Sequence, residues 1–319
     1  MTDRSAIKSA VIAIGGNSLV IDPRHQTVQD QYLAAQVTCR HVARLITSGI
    51  DVAMTHGNGP QVGFILLRSD LAKACIHEVP LDSCVADTQG AIGYFLQQAL
   101  QNELDRLKCS RQVVSIVTRV LVDPADVAFE SPSKPICPFY SESDARRLEQ
   151  EQGWSVREDS LHQWRRVVPS PLPVEIIEVD AVKALMERHF IVVTAGGGGI
   201  PVVRQEDGDL VGISAVVDKD RSSALLATEL DADLLLISTA VEKVALSFGT
   251  PEQRDLERIT VSEAMRFMSE GQFGAGSMLP KVEAAVQFLR SGGKAAIITS
   301  PEHILESVEG RAGTWIVHD

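Results

Sequence analysis

The stretch FIVVTAGGGGIPVV, residues 190–203, joins an apolar, β-branched run to four consecutive glycines and a proline. A short apolar run of this kind, bounded by glycine, is typical of a buried strand. Glycine costs conformational entropy on folding but lets backbone amides approach a ligand closely, so four in a row need a physical reason. The stretch therefore predicts a buried strand that ends in a loop of nearly bare backbone.

Similar runs recur along the chain and alternate with helical patterns. The apolar runs are SAVIAI (9–14), IDVAMT (50–55), VVSIVTRVLV (113–122), FIVVT (190–194), DLLLIST (233–239) and KAAIIT (294–299). Between them, segments such as DQYLAAQVTCRHVARLI and PKVEAAVQFLRSG repeat apolar residues every three or four positions. This alternation predicts an α/β fold with an open, mostly parallel sheet and helices on both faces. The closing TWIV (314–317) is a candidate edge strand.

Composition limits the class of protein. The chain has 319 residues and a formal net charge of -12, which argues against general affinity for nucleic acid or an anionic membrane. Its five cysteines form no CxxC pair, which favours free thiols in a reducing compartment. No signal-peptide pattern is visible, and no apolar run approaches the roughly 20 residues of a membrane span. We therefore expect a soluble, cytoplasmic protein.

One region interrupts the alternation. Residues 123–173 are rich in proline and aromatic residues and contain Trp154 and Trp164, two of the three tryptophans. Loops of this length in compact domains are usually functional or disordered, and the aromatic residues argue against disorder. We expect a single domain over residues 1–319 with a small protruding lid subdomain at about 123–173. A plain surface excursion is the alternative.

Three glycine-rich segments follow predicted strands: GGNS (15–18), HGNGPQVG (56–63) and AGGGG (195–199). In an open parallel sheet the carboxyl ends of the strands share one edge, where ligands bind. Exposed amides at such turns bind anions, phosphate above all. One glycine turn alone is usually only a tight turn, but three at one edge predict a cradle for an anionic substrate. GxxxxGK[ST], GxGxxG after a strand, HExxH and GxSxG are all absent, which disfavours P-loop, dehydrogenase, zinc-protease and hydrolase functions.

Three lysines stand in positions that favour phosphate chemistry. Asp218, Lys219 and Asp220 precede a helical pattern, where the carboxylates either cap the helix or hold the lysine in place. Lys281 lies in the first turn of another predicted helix, where it opposes the helix dipole and a bound phosphate would explain it. Lys134 lies between two prolines of the predicted lid. Fixed positive charge and bare amides are what phosphoryl transfer requires.

These motifs resemble those of carbamate kinases, members of the amino-acid kinase family, over nearly the whole chain. The shared motifs are GGNSL, THGNGPQVG, TQGAIGY, VTRVLVDPADVAF, PSKPI, WRRVVPSPLPVEIIE, AGGGGIPVV, AVVDKD, SFGTPEQRDLE and GSMLPKVEAA. The resemblance implies the amino-acid kinase fold and reversible phosphoryl transfer between ATP and carbamate, which gives ADP and carbamoyl phosphate. It also implies Mg²⁺ bound with the nucleotide, a homodimer, and a catabolic role that runs toward ATP.

The resemblance also implies roles for individual residues. The catalytic residues would be Lys134, Asp218, Lys219 and Lys281. The substrate and phosphate site would consist of Gly15, Gly16, Asn17, Gly57, Asn58, Gly59, Gly196, Gly197 and Gly198. The nucleotide site would be bordered by Ser238, Thr239, Ala240, Val244, Phe248 and Met278.

Within the family, one position favours carbamate kinase over its relatives that phosphorylate amino acids. Those relatives resemble KxGG at the first strand, whereas this chain has Ala13 there and carries Lys134 in the lid. Two departures from the carbamate kinase pattern lie in the lid: residues 158–163 read EDSLHQ where the pattern has EDAGRG, and Cys137 replaces a glycine. The altered lid leaves open a catalytically weak paralogue that binds nucleotide or carbamoyl phosphate as a partner or regulatory subunit. A related kinase that acts on another small acid or phosphate is a further alternative.

Overall fold

A computed structural model describes residues 7–16, 19–20, 22, 24–158, 162–274 and 276–319, apart from the side chains of residues 137 and 138. Within these residues the strands are β1 (Ser9–Ile14), β2 (Asp51–His56), β3 (Val113–Ser115), β4 (Arg119–Val122), β5 (Lys134–Tyr140), β6 (Ser155–Glu158), β7 (Trp164–Val168), β8 (Pro173–Ile176), β9 (Ile191–Val193), β10 (Ile200–Arg204), β11 (Leu210–Gly212), β12 (Leu234–Ser238), β13 (Val244–Leu246), β14 (Arg254–Leu256), β15 (Arg258–Thr260), β16 (Ala295–Thr299) and β17 (Thr314–Val317). The α-helices are α1 (Val28–Thr47), α2 (Gly59–Ala72), α3 (Leu81–Arg106), α4 (Glu142–Gln152), α5 (Val179–Glu187), α6 (Lys219–Glu229), α7 (Val261–Ser269), α8 (Leu279–Arg290) and α9 (Ile304–Val308). None of these helices has both the length and the apolar character needed to cross a membrane.

The main sheet has the strand order β15-β17-β16-β12-β1-β2-β9-β3. Its six strands from β16 to β3 are parallel, and β17 is antiparallel to β16. The prediction of an α/β fold with a mostly parallel sheet is confirmed. The prediction that TWIV forms an edge strand is wrong, because β17 pairs on one side with β16 and on the other with β15. The short edge strand β15 carries no strong sequence pattern that would reveal it.

Alternate residues of each central strand face opposite layers of helices. In β1, Ile12 and Ile14 belong to the core under α1, α3 and α9, whereas Val11 and Ala13 belong to the core under α6, α7 and α8. Such strands are buried on both faces and therefore read as continuous apolar runs. This two-sided core fixes the carboxyl ends of the strands along one edge of the sheet.

Local sequence signals set the ends of several helices. At the start of α1, Thr27 and Asp30 form a capping box in which each side chain bonds the backbone of the other. At the end of α4, Gly153 adopts φ 65°, the left-handed conformation that glycine tolerates best. The start of α1 and the end of α4 are therefore set by a few local residues.

Three smaller sheets accompany the main sheet in the described residues. Their strand orders are β11-β10-β4-β8, β13-β14 and β5-β7-β6, and the last of these is antiparallel. The sheet β5-β7-β6, together with α4, covers most of the region predicted as a lid, and we call these four elements the lid sheet. Ile136 and Val168 of the lid sheet pack with Val62 of α2 and Leu81 of α3. This contact places Lys134, at the start of β5, above the main sheet.

Candidate functional site

The carboxyl ends of β1, β2 and β12 open into a cavity of about 210 Å³. Its walls also include the lid sheet, the start of α6 and the start of α8. The lining residues are Gly15, Gly16, Gly57, Asn58, Gly59, Pro60, Lys134, Pro135, Ile136, Gly197, Val216, Val217, Asp218, Lys219, Asp220, Thr239, Ala240, Gly276, Ser277, Pro280 and Lys281. The structure thus brings together the glycine loops and the lysines that the sequence singled out.

The three lysines reach this cavity from three different elements and rest on two aspartates. The Lys134 ammonium of β5 donates a hydrogen bond to Asp218 Oδ2 at 2.6 Å. Lys219 of α6 donates to Asp220 Oδ1, and Lys281 of α8 donates to Asp220 Oδ2 at 3.1 Å. Asp220 therefore holds two ammonium groups side by side, a concentration of positive charge suited to an anionic ligand.

The two carboxylate oxygens of Asp218 have separate partners. Oδ1 accepts hydrogen bonds from the backbone amides of Asp220 at 2.9 Å and Arg221 at 3.3 Å, which caps α6. Oδ2 accepts from Lys134. Burial raises the pKa of Asp218, but the charge and hydrogen bond of Lys134, with help from Lys219, outweigh burial and hold this pKa well below its ordinary value. Asp218 is therefore a carboxylate that links the lid sheet to α6.

Lys219 is almost fully buried beside its partner Asp220. Burial lowers the pKa of Lys219, and the neighbouring charge of Lys281 lowers it further, against the opposing effects of Asp220 and Asp218. A negatively charged ligand in the cavity would favour the charged form of this lysine. The sequence suggested that Asp220 could hold Lys219, but the second contact of Asp220, with Lys281 across 61 positions, was not predicted.

The four-glycine loop is explained largely by close packing. A side chain at Gly196 would collide with the imidazole of His56, and one at Gly197 would collide with the amide of Asn58. Gly198 has φ 88°, and a side chain there would collide with the carbonyl of Val217. Of the glycines in this loop, Gly197 lines the cavity. Close packing between loops is therefore the main physical reason for these glycines. The loops after β1 and β2 contribute more glycines to the cavity lining than this loop does.

A buried polar network braces these loops, and sequence analysis missed it. Gln89 of α3 donates hydrogen bonds of 2.9 Å to the carbonyls of Thr118 and Gly196 and accepts one of 2.8 Å from the Thr118 amide. Asn58 donates to the Thr88 hydroxyl at 2.9 Å. Buried polar groups that are fully paired in this way hold a loop in one position. The TQG motif carries Thr88 and Gln89, so the motif was visible although its bracing role was not.

Two of the six predicted nucleotide-binding residues belong to the cavity lining, and the other four do not. Thr239 and Ala240 line it, whereas Ser238 and Val244 are fully buried. Phe248 has 67% of its surface exposed, and Met278 packs on the core at the start of α8. The nucleotide role of these six residues stays a prediction. Asn17 of the predicted phosphate site lies outside the described residues.

His56, at the end of β2, is buried, and its Nδ1 lies 3.1 Å from the carbonyl oxygen of Gly57. Burial lowers the pKa of His56 from 6.5 to about 4. His56 is therefore protonated near pH 6.5 in the unfolded chain but only near pH 4 in the folded protein. Because the unfolded state binds this proton first, the contribution of His56 to stability is lost as the pH falls from about 6.5 to 4. We expect the advantage of the wild type over His56→Gln in free energy of unfolding to shrink by about 3 kcal/mol between pH 7 and pH 4.

Urea denaturation at a series of pH values measures this effect. The matched control is His77→Gln, because His77 is exposed and the same substitution there should change the free energy of unfolding by no more than about 0.5 kcal/mol. A pH-independent difference between wild type and His56→Gln would contradict the neutral, buried state of His56.

Comparison with known proteins agrees with this site. Residues 8–300 match the sequence pattern of the amino acid kinase family. The chain is 46% identical to carbamate kinase-like protein YahI of Escherichia coli over 96% of this chain and 98% of that protein. It is 45% identical to the carbamate kinase of Pyrococcus furiosus over 97% and 99% of the two chains. The carbamate kinase of Giardia lamblia bound to AMP-PNP superimposes with a TM-score of 0.91 at 39% identity, covering 99% of this chain and 100% of that one. The chain therefore belongs to the amino acid kinase family.

Proposed function

We propose that this protein is a carbamate kinase, which transfers a phosphoryl group reversibly between ATP and carbamate. The observation that carries the proposal is the convergence of Lys134, Lys219 and Lys281 on one glycine-lined cavity. The curated relatives named carbamate kinase match this chain over nearly their whole length, which supports the choice of substrate.

The geometry suits a reaction that consists mainly of positioning and charge stabilisation. The transferred phosphoryl group spreads negative charge over its oxygens, and fixed cations nearby lower the barrier without moving during the reaction. Lys219 and Lys281 are fixed by Asp220 and would face these oxygens. The start of α2, at Gly59, adds a helix N-terminus, which favours an anion.

Lys134 would complete the site from the lid sheet. Its ammonium group rests on Asp218 Oδ2, within the cavity wall. A phosphoryl group that enters the cavity would offer this ammonium a second anion, so that Lys134 contacts both the aspartate and the ligand. The lid sheet would thereby exclude water from the reacting atoms, as the position of residues 134–136 in the wall suggests.

Mg²⁺ would enter with the nucleotide. In phosphoryl-transfer sites this ion is usually bound by the phosphates and by one or two carboxylates, where it neutralises charge on the β and γ oxygens. Asp218 and Asp220 are the carboxylates on the described cavity wall, and both are held by lysines. They therefore fit an ion bound mainly by the phosphates, with Asp218 or Asp220 as a supporting ligand.

The same resemblance supports the remaining assignments. We propose that the protein acts as a homodimer in the cytoplasm, with ATP or ADP and carbamate or carbamoyl phosphate as its ligands, and that it runs toward ATP. The cysteines whose side chains are described, Cys39, Cys75, Cys84 and Cys109, are free thiols, in keeping with a reducing compartment.

A coupled assay that detects ATP formed from ADP and carbamoyl phosphate tests the proposal directly. We expect turnover within the ordinary enzyme range of about 1–1,000 per second. Folded protein with turnover at background level, together with tight binding of ADP in calorimetry, would instead favour a binding subunit. The altered lid residues 158–163 motivate this second candidate, and residues 159–161 of that stretch lie outside the described part of the chain.

A further inference from the structure

Another cavity, of about 590 Å³, lies between the second half of α2 and the lid sheet. We call it the outer cavity. Leu66 and Leu67 of α2 line its core side, and Tyr140 and Trp154 line its lid side. At about 1.5 Å of rise per residue along α2, these leucines lie roughly 10 Å or more from Gly59 and the proposed active site. The volume is in the usual range for a small-molecule site, roughly 300–1,000 Å³.

The floor of the outer cavity is apolar and aromatic. Leu66, Val79 and Tyr140 pack against the buried cluster that joins the lid sheet to α2 and α3. The rings of Tyr140 and Trp154 meet nearly edge to face, with 5.7 Å between their centroids. An aliphatic or aromatic group would bury its surface here, which favours binding.

The core-side wall carries two carboxylates and one ammonium group, whereas the lid-side wall carries a guanidinium group. On the core side, Asp70 pairs with Lys73 at 2.6 Å, and Glu78 adds a further carboxylate. On the lid side, the guanidinium of Arg166 stacks over the Trp154 ring at 4.6 Å. A ligand's ammonium group would be attracted toward Glu78, and its carboxylate toward Arg166.

We propose that the outer cavity is a second ligand site, which takes a free amino acid with an apolar side chain. Its zwitterionic head would bridge the core and the lid sheet, and its side chain would occupy the aromatic floor. Tyr140 and Lys134 belong to the same strand, β5, about 20 Å apart. A ligand in the outer cavity therefore also restrains the strand that carries Lys134; the bearing of this restraint on catalysis rests on the proposed function, whereas binding itself does not.

Isothermal titration calorimetry with L-phenylalanine tests the site without any turnover. We expect saturable binding of one molecule per chain at concentrations up to about 10 mM, where a Kd near 1 mM is readily measured. L-phenylalaninamide lacks the carboxylate and N-acetyl-L-phenylalanine lacks the ammonium group. Each should bind at least about 5-fold more weakly, because each loses one charged contact. Absence of L-phenylalanine binding at this concentration would overturn the proposal.

Variants of α2 locate the binding. Leu67→Trp fills the outer cavity and should abolish the titration signal. Leu71→Trp adds the same side chain to the same helix at a position that is 77% exposed and outside the cavity lining, so it should bind L-phenylalanine as the wild type does. Unchanged binding in folded Leu67→Trp would overturn the assignment of the ligand to this cavity.

A third variant keeps the proposal testable if Leu67→Trp does not fold. Glu78→Gln should weaken L-phenylalanine and its amide by about 5-fold or more, since both carry the ammonium group. The same variant should leave N-acetyl-L-phenylalanine unchanged. Equal weakening of all three compounds, or of none, would contradict the proposed orientation. Hydrogen exchange of residues 134–140 should slow when L-phenylalanine is bound, and unchanged exchange there would refute the restraint on Lys134.

Discussion

Lys219→Ala is expected to lower the turnover for ATP formation by about 100- to 1,000-fold, the cost of removing one fixed donor from a charge-stabilising site. The Lys219 side chain at the start of α6 has 10% of its surface exposed and is fixed by Asp220. Asp220 keeps Lys281 as a partner in the variant, so no buried carboxylate is left unpaired. The initial rate of ATP formation from ADP and carbamoyl phosphate measures the effect.

Lys183→Ala is the matched control, because Lys183 lies on α5, outside the lining of the proposed active site. It should keep turnover within about twofold of the wild type, as expected for a surface substitution that touches no reacting group. Thermal unfolding of both variants checks that the protein is folded. Turnover of Lys219→Ala within tenfold of the wild type would refute the proposed role of this lysine.

Gly198→Ala is expected to lower the free energy of unfolding by about 3 kcal/mol or more, because it combines backbone strain with a collision. Gly198 has φ 88°, which alanine tolerates poorly, and its added methyl group would meet the backbone carbonyl of Val217. Backbone cannot move aside as the end of a flexible side chain can. Urea denaturation of wild type and variant measures the difference.

Gly208→Ala separates the two contributions. Gly208 has φ 94°, close to that of Gly198, but no atom lies within 4 Å of a methyl group added there. We expect this control to lose about 1 kcal/mol, the backbone term alone. Equal losses at both positions would mean that packing against Val217 contributes nothing.

The sequence predicted the fold and the components of the candidate site because both depend on local patterns. Apolar runs such as residues 9–14 indicate strands buried on two faces, and glycine at their ends indicates turns at one edge of a parallel sheet. Lys134, Lys219 and Lys281 could be singled out because prolines, carboxylates or a helix start stood beside them in the chain. The structure places all three at the same cavity.

What the sequence could not predict depends on contacts between distant segments. The hydrogen bond between Lys281 and Asp220 joins residues that are 61 positions apart. The hydrogen bond from Gln89 to the Gly196 carbonyl joins residues that are 107 positions apart. The packing of Gly196 on His56 is of the same kind, and it changes the explanation of the glycine loop from ligand approach toward loop interlocking. β15, which displaces TWIV from the edge of the sheet, is too short for its pattern to be recognised.

The two carboxylate oxygens of Asp218 make different contacts: one caps the start of α6, and the other accepts a hydrogen bond from Lys134. An asparagine at this position would still cap α6, because its side-chain oxygen accepts the same amide bonds, yet it would present no negative charge to Lys134. Exchange of a single oxygen atom for an amino group could thus loosen the cover over the pocket while the scaffold beneath stays intact. Asparagine at position 218 would therefore keep the cap of α6 and lose the ion pair that joins β5 to α6.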